Sequence, residues 1–478
     1  MTFVEYANRS VNPLRVLVQL DVSKINTQWI NAGAGIWYVN FSATYPEVDS
    51  SLLDGFTVQS FGDIGSLIVD TTNYTKMTDL LSVTTTENSF YYDSTEGEVF
   101  VHFVNNDDHI LHDIFFGVVH GFSYDDFTPI DSLTPYIGRI NSNIEIKQAR
   151  DPLFFGKIQF DTGSVSLLNS DGEFDTFAID NNLYGNEVRI LLGFEDISIN
   201  DYLTVYTALV ENVSVDEEIF TIGISDKRKK FTKEITYTCN SKNALEVIRE
   251  LLSLYYGAIY NSTYYDTTAW AASEALAPLI SIDIQDGKAI EDISVIDLIE
   301  DICASVFGIF KITADNKYSF KIVDTTATAS TTIYAHDILN NHSINYDPSE
   351  VITSIKMGYN KNWESGYTSP YTWYTDTSQE ETIYKKYKVY NQKEFFSIIE
   401  NLSSATSLAT TVLNYSKDVH GIGEVLVPIK YYAMEVGDIV NIEINRSTRT
   451  MLGTKKCEVI SKGYQFPEGI IKLGYRII

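Results

Sequence analysis

Cysteine is scarce in this chain. Cys239, Cys303 and Cys457 are far apart and odd in number, which argues against a disulfide framework and for assembly in a reducing cytosol. Positive charge is also short: 35 Lys and Arg stand against 64 Asp and Glu, a formal net charge of −29. A duplex-binding protein must set cations on phosphates to release counterions, so DNA as a bound ligand is excluded. DNA passing an acidic surface is not excluded, because like charge keeps a strand from sticking. No apolar run approaches membrane-spanning length. Met1-Thr-Phe-Val-Glu-Tyr6 has neither the basic nor the apolar region of a secretory leader, so none is expected.

Catalytic signatures are missing too. The sequence contains no Walker loop, metalloprotease helix, Cys pair or serine-nucleophile elbow. Ala32-Gly-Ala-Gly35 is followed by the aromatic stretch Ile36-Trp-Tyr-Val-Asn-Phe41 and not by a helix, so it fails the context of a dinucleotide fingerprint. Asp107-Asp-His-Ile-Leu-His-Asp113 gathers two histidines and three carboxylates, yet positions three apart on a strand point to opposite faces, so His109 and His112 converge only on a helix or loop. Asn169, Asp171 and Asp175 have the look of a calcium loop, but its glycine sits fourth where an EF-hand needs it sixth, and no Glu closes the span. His102, His120, His336, His342 and His420 fall in separate segments. The expectation is a non-enzyme without cofactor or metal; a glycosidase carboxylate pair, recognised by separation in space, is the one chemistry the sequence does not remove.

What is present is aromatic and β-rich. Aromatics make up 13% of the chain, with 32 Tyr against 5 Met, a balance that suits sheets and polar-aromatic contact surfaces. The length allows roughly three independently packed domains. Residues 1–134 predict a β-sandwich or barrel, with Phe90-Tyr-Tyr92 facing Val99-Phe-Val-His-Phe103 across a Ser-Thr-Glu-Gly turn. Residues 135–240 predict a closed antiparallel barrel: Val165 and Leu167 alternate into the reversal Asn169-Ser-Asp-Gly172, and strands follow at 187–192, 203–215 and 218–225. Lys227-Arg-Lys-Lys230 is expected to be one turn of solvated charge, too short to steer a polyanion.

Residues 241–330 change character. Leu245, Ile248, Leu251, Leu252 and Tyr255 predict an amphipathic helix stopped by Gly257, and Ser294 with Asp297 predicts a capping box for a second, buried through Val295, Leu298, Ile299, Ile302, Cys303 and Val306 and stopped at Gly308. A hairpin around Asp315-Asn316 should follow. Strands are expected again at 350–359 and 382–390, within a final segment 331–478. There a helix, Asn401 to Tyr415, offers Leu402, Ala405, Leu408, Ala409, Val412 and Leu413 on one face and runs into Met434-Glu-Val-Gly-Asp-Ile-Val-Asn-Ile-Glu-Ile444, with further strands at 457–460 and 470–477. Two aromatic segments are read as loops: 255–270, with Tyr255, Tyr256 and Trp270, and 363–374, with Trp363, Tyr371, Trp373 and Tyr374. Their rings either anchor neighbouring subunits or fold back over the adjacent barrel.

Over residues 135–478 this order resembles the tail-hub (baseplate-hub) proteins of tailed bacteriophages and contractile injection systems. The resemblance is carried by Asn169-Ser-Asp-Gly-Glu-Phe-Asp175, which looks like the family's Asn-Asp-Gly-aromatic-Asp turn, by the helix, aromatic-Gly stop and hairpin, and by the final helix and Gly437-Asp438 turn. It implies a mainly β fold with an α+β insertion: two hub-type barrels, plus an N-terminal β-sandwich-like domain that is preferably an added docking domain ahead of the hub fold. It also implies a virion protein at the tail tip, assembled in the host cytoplasm and usually trimeric. Such a ring joins a hexameric tail tube or distal tail protein to a central spike or fibre, while genome DNA passes through without specific binding. Asn169, Asp171, Gly172, Gly437 and Asp438 would then shape turns, and no catalytic residue carries over. A receptor- or carbohydrate-binding tail protein that stacks ligands on the aromatic segments is the alternative.

Overall fold

In the computed structural model the described residues are 14–25, 30–33, 36–40, 64–69, 72–73, 75–76, 89–93, 98–102 and 114–478, save 131–135, 142–143, 151–159, 176, 178–182, 286–292, 325, 341–342, 365–369, 447–448 and 467. The Asp107 to Asp113 cluster lies outside them. The fold is mainly β with a few helices, and the chain divides into two compact units: Met1–Glu145 with Gly163–Ser225 and Phe466–Glu468, and Ile146–Thr162 with Asp226–Gln465 and Gly469–Ile478.

In the first unit the strands run in the order Thr162–Leu168, Ile219–Ser225, Leu203–Val215, Glu187–Phe194, Leu14–Ile25, Ile114–Ser123 and Ile64–Val69. Hydrogen bonding returns to the start: Tyr136–Gly138 lies parallel to Ile114–Ser123, and Ile140 bridges Leu167, with Leu168 N donating to Arg139 O (2.7 Å) and Asn141 N to Ser166 O (2.9 Å). The strand path thus closes on itself. Alternation fills its inside, with Val16, Val18, Leu20, Val165, Leu167, Val188, Ile190, Leu192, Phe220 and Ile222 buried. Leu14–Ile25 pairs with Glu187–Phe194 from Leu14↔Phe194 to Leu20↔Val188, so the sheet crosses position 134, where the sequence suggested a boundary. Between Leu14–Ile25 and Ile114–Ser123 the chain builds a separate five-stranded sheet, in which Ser89–Asp93 and Glu98–His102 form the expected hairpin.

Two cores stand out among the described residues of the second unit. One gathers around α1 (Ala244–Tyr256), α2 (Thr267–Glu274) and α3 (Val295–Val306) with the strand pairs Tyr237–Asn243/Leu279–Ile284 and Gly308–Ile312/Tyr318–Ile322. Gly257 ends α1 at φ +67°, and the Ser294–Asp297 capping box opens α3. Phe307, at φ 57°, ends α3 one residue before the glycine expected to. Its ring is buried against Tyr415 at 5.4 Å, contacts that offset the cost of a left-handed non-glycine residue.

The other core lies between the sheet Thr372–Asp376, Ser354–Tyr359, Gln392–Phe396 and the last helix. Residues 382–387, the first part of the segment 382–390 read as a strand, belong to the helix α4 (Glu380–Tyr387): Ile383 is its buried contact, glutamates occupy its first turn and lysines its last, and these charges suit the helix dipole. α5 (Leu402–Ser416), capped by Asn401, buries Ala405, Leu408, Ala409, Val412 and Leu413 as expected, but Leu402 is 50% exposed. The terminal strands Gly421–Pro428, Ile439–Arg446, Arg449–Gln465 and Ile470–Ile477 complete this unit, and Val440, Ile442 and Ile444 alternate into its interior.

Candidate functional site

The reversal at Asn169 is built by its own side chains. Asn169 is fully buried; its amide donates to Asp175 Oδ1 (2.8 Å) and Asp216 O (2.9 Å), while its Oδ1 accepts from Phe174 N (2.8 Å). Gly172 takes φ +75°, a conformation that glycine adopts without Cβ cost. Asp171 accepts a bidentate pair from Arg139 at 2.9 and 2.6 Å, which holds its carboxyl below the ordinary range, and Glu173 also pairs with Arg139. These contacts engage the carboxylates that a calcium loop would turn inward, and among the described residues no three metal-ligating side chains converge. The turn's product is the placement of Phe174, stacked on Phe220 at 4.8 Å and edge-on to Phe177 at 5.6 Å.

The Gly437-Asp438 turn fixes the terminal strands onto the hairpin 308–322. Gly437 stands at φ +88°, where an added Cβ would lie 2.8 Å from Ile309 Cδ1. Asp438 Oδ2 accepts from Glu435 N (2.8 Å), its Oδ1 pairs with Lys321, and Lys311 pairs with Glu435. Lys462 points its ammonium at Tyr432 O (2.6 Å). Burial pulls Lys462 down to about 7 and Lys311 to about 8, although the Asp438 carboxylate raises both. This turn is therefore a partly buried charge cluster as well as a reversal.

The seven candidate aromatics separate by surroundings. Trp270 is fully buried, edge-on to Tyr265 at 5.0 Å and Phe320 at 5.9 Å. Trp363 is 6% exposed; its Nε1 donates to Ser281 O (3.3 Å) and Lys361 Nζ lies 4.1 Å from its ring centroid. Tyr255 exchanges hydrogen bonds with the Thr236 backbone, and Tyr256 donates to Lys230 O and packs on Phe231. Tyr374 joins the core beneath α5. These five brace their own chain. Tyr371 and Trp373 instead meet Phe396 on the outer face of the three-stranded sheet.

Two polar clusters escape the sequence. Tyr415, on the last turn of α5, donates to Glu458 (2.5 Å), accepts from Arg150 (2.5 Å) and lies under the Arg476 guanidinium at 3.9 Å. Glu458 is fully buried and pairs with Arg150, so one ring ties a helix to strands more than forty residues away. The only hint is polar residues inside apolar strands. In the basic run, Arg228 is buried against Asp226, donates to Phe310 O (2.7 Å) and stands 3.7 Å from Asp161, while Lys227 donates to Asn316 (2.9 Å). The run is thus not a solvated turn: Asp226 and Asp161 draw Arg228 inward.

No protein-family model matches the chain, and no curated protein matches it. Among solved structures it is similar to a tail protein of Neisseria meningitidis MC58, at 10% identity over 71% of this chain and 94% of that one with a TM-score of 0.45. It is similar to the 43 kDa tail protein of prophage MuSo2 from Shewanella oneidensis, at 10% identity over 72% and 96% with a TM-score of 0.45. It is also similar to a prophage tail protein of Listeria monocytogenes EGD-e, at 11% identity over 71% and 90% with a TM-score of 0.41.

Proposed function

We propose that the chain is a structural protein of a phage tail, the hub at its distal end. The observation that carries this reading is the order of elements: a strand circuit that closes on itself, an α+β segment of three helices and two strand pairs, then a discontinuous sheet completed by α5 and the terminal strands. In this reading residues 135–240 centre on the first hub barrel, 241–330 are the insertion, 331–478 complete the second barrel, and the sheet within residues 1–134 is the docking part. Three copies form a ring, whose paired barrels offer pseudo-sixfold symmetry to the tail tube and threefold symmetry to a spike or fibre. The work is positional, done by sheet edges and loops, while Asn169, Asp171, Gly172, Gly437 and Asp438 keep the turns in shape.

An image of the particle with this chain located tests the reading. Threefold ring symmetry at the tail tip is the expected result; a hexamer with one copy per tube subunit would make the chain a tube-capping distal protein instead.

A further inference from the structure

The outer face of the sheet Thr372–Asp376, Ser354–Tyr359, Gln392–Phe396 is aromatic although the core lies on the other side, and Lys356 of the central strand sets its Nζ 4.1 Å from the Trp373 ring centroid. Its inner face is supplied by Ile355, Met357, Tyr359, Tyr374 and Phe395 against α5. On the outer face Tyr371, Trp373 and Phe396 form a contiguous triad, with centroids 5.2 to 5.9 Å apart and Phe396 48% exposed. Gly358 lies beneath it: a Cβ there would come within 3.1 Å of the Tyr371 ring, so the ring rests directly on the backbone.

The aromatic face leads into a polar cleft. Lys361 joins the two, its Nζ 5.9 Å from the Tyr371 centroid and 4.1 Å from that of Trp363. Trp363 is a wall of a cleft of about 420 Å³ whose polar lining includes Asn240, Asp283, Asn360 and Glu400. The side chains of Asn360 and Glu400 have no hydrogen-bond or ion-pair partner among the described residues. Asn360 holds φ 48°, a left-handed backbone of the kind that persists where surroundings impose it.

We propose that this face and cleft form one groove for a neutral oligosaccharide. Pyranose rings stack on Trp373 and Phe396, because C–H faces of sugars and aromatic planes bury each other while the hydroxyls at their rims stay free. The terminal sugar enters the cleft, where carboxylates accept from hydroxyls and amides both donate and accept. Charge selects the class: Lys361 is committed to Asp301 at 2.9 Å and Lys356 to Glu394 at 2.7 Å, leaving Asp283 and Glu400 to repel an acidic glycan, as does the chain's net charge of −29. The inference stands apart from the hub reading, since a groove of this kind serves a tail protein and a free lectin alike.

The test titrates the full chain with cellotetraose, chitotetraose and maltotetraose, with tetragalacturonate as acidic control, and reads tryptophan fluorescence and ligand NMR. At least one neutral tetrasaccharide should bind saturably, and the acidic one about tenfold more weakly or not at all. Trp373→Ala and Glu400→Gln should each weaken that binding by about tenfold with an unchanged unfolding midpoint. Phe396→Ala, at a more exposed ring, replaces Trp373→Ala if that variant fails to fold. Absence of saturable binding by all three neutral sugars overturns the proposal, as does wild-type affinity in both variants. A Trp373→Ala variant whose only change is a smaller sedimenting species would make the face a contact between copies, and would also overturn it.

Discussion

At single positions, the decisive quantities are backbone angle and desolvation. Gly437 combines φ +88° with an Ile309 methyl 2.8 Å from where a Cβ would stand, so Gly437→Val should destabilise by about 1 to 3 kcal/mol, read as a lowered urea midpoint. Wild-type stability together with lost infectivity would instead make the position functional. Next to that turn, Lys462 yields a pH prediction. Its folded value of about 7 lies below the ordinary 10.5, so between those limits the unfolded chain holds a proton that the folded chain has released, and stability rises with pH. Asp161 works in the opposite sense. Burial raises it to about 7 from 3.8, with Arg228 opposing and Asp226 adding to the rise, so its contribution falls as pH climbs through that lower window. Unfolding free energies of wild type and Lys462→Met at pH 7 to 10 isolate the lysine: the wild type should gain on the variant as pH rises, and a constant difference would contradict it.

At the level of elements, patterns with a period were legible in the sequence and arrangements without one were not. α1 and α3 were readable from apolar spacing, Gly257 and the Ser294–Asp297 box, because caps and periodicity are local. α4 was misread because Ile383, Tyr384 and Val389 have strand propensity, and only the i, i+4 placement of Ile383 and Tyr387 with the flanking charges tells otherwise. The Asn169 and Gly437 turns were legible as turns, but their partners Arg139, Lys321 and Lys311 were not, since ion pairs between distant segments leave no spacing to read. The Tyr415 clamp was invisible for the same reason: Arg150 lies 265 positions from it. α5 offers a paired test. Ala409 is fully buried and Leu402 half exposed, so Ala409→Leu should cost about 1 to 3 kcal/mol by overpacking. Leu402→Ala should stay within about 0.5 kcal/mol of wild type. Thermal unfolding of the two variants reads both, and equal losses would mean that the helix does not pack on the sheet through this face.

On the scale of the whole molecule, charge is the dominant property, and its placement sharpens the argument about nucleic acid. A surplus of 29 negative charges leaves few cations to make a basic groove, and the one basic run is partly spent inside the protein. Arg228 is buried on Asp226 and the Phe310 carbonyl, and Lys227 is buried on Asn316. Duplex binding draws its affinity from cations that displace counterions, and the gain is largest at low salt. The isolated chain should therefore show no measurable affinity for duplex DNA at low ionic strength, and Lys229→Glu with Lys230→Glu should change nothing. If the chain lines a conduit, the same repulsion keeps a passing genome from adhering to its wall. Micromolar binding that weakens as salt is raised, or binding abolished by those two substitutions, would mean that the exposed end of the run gathers phosphates after all. That result would make nucleic acid a ligand of this chain.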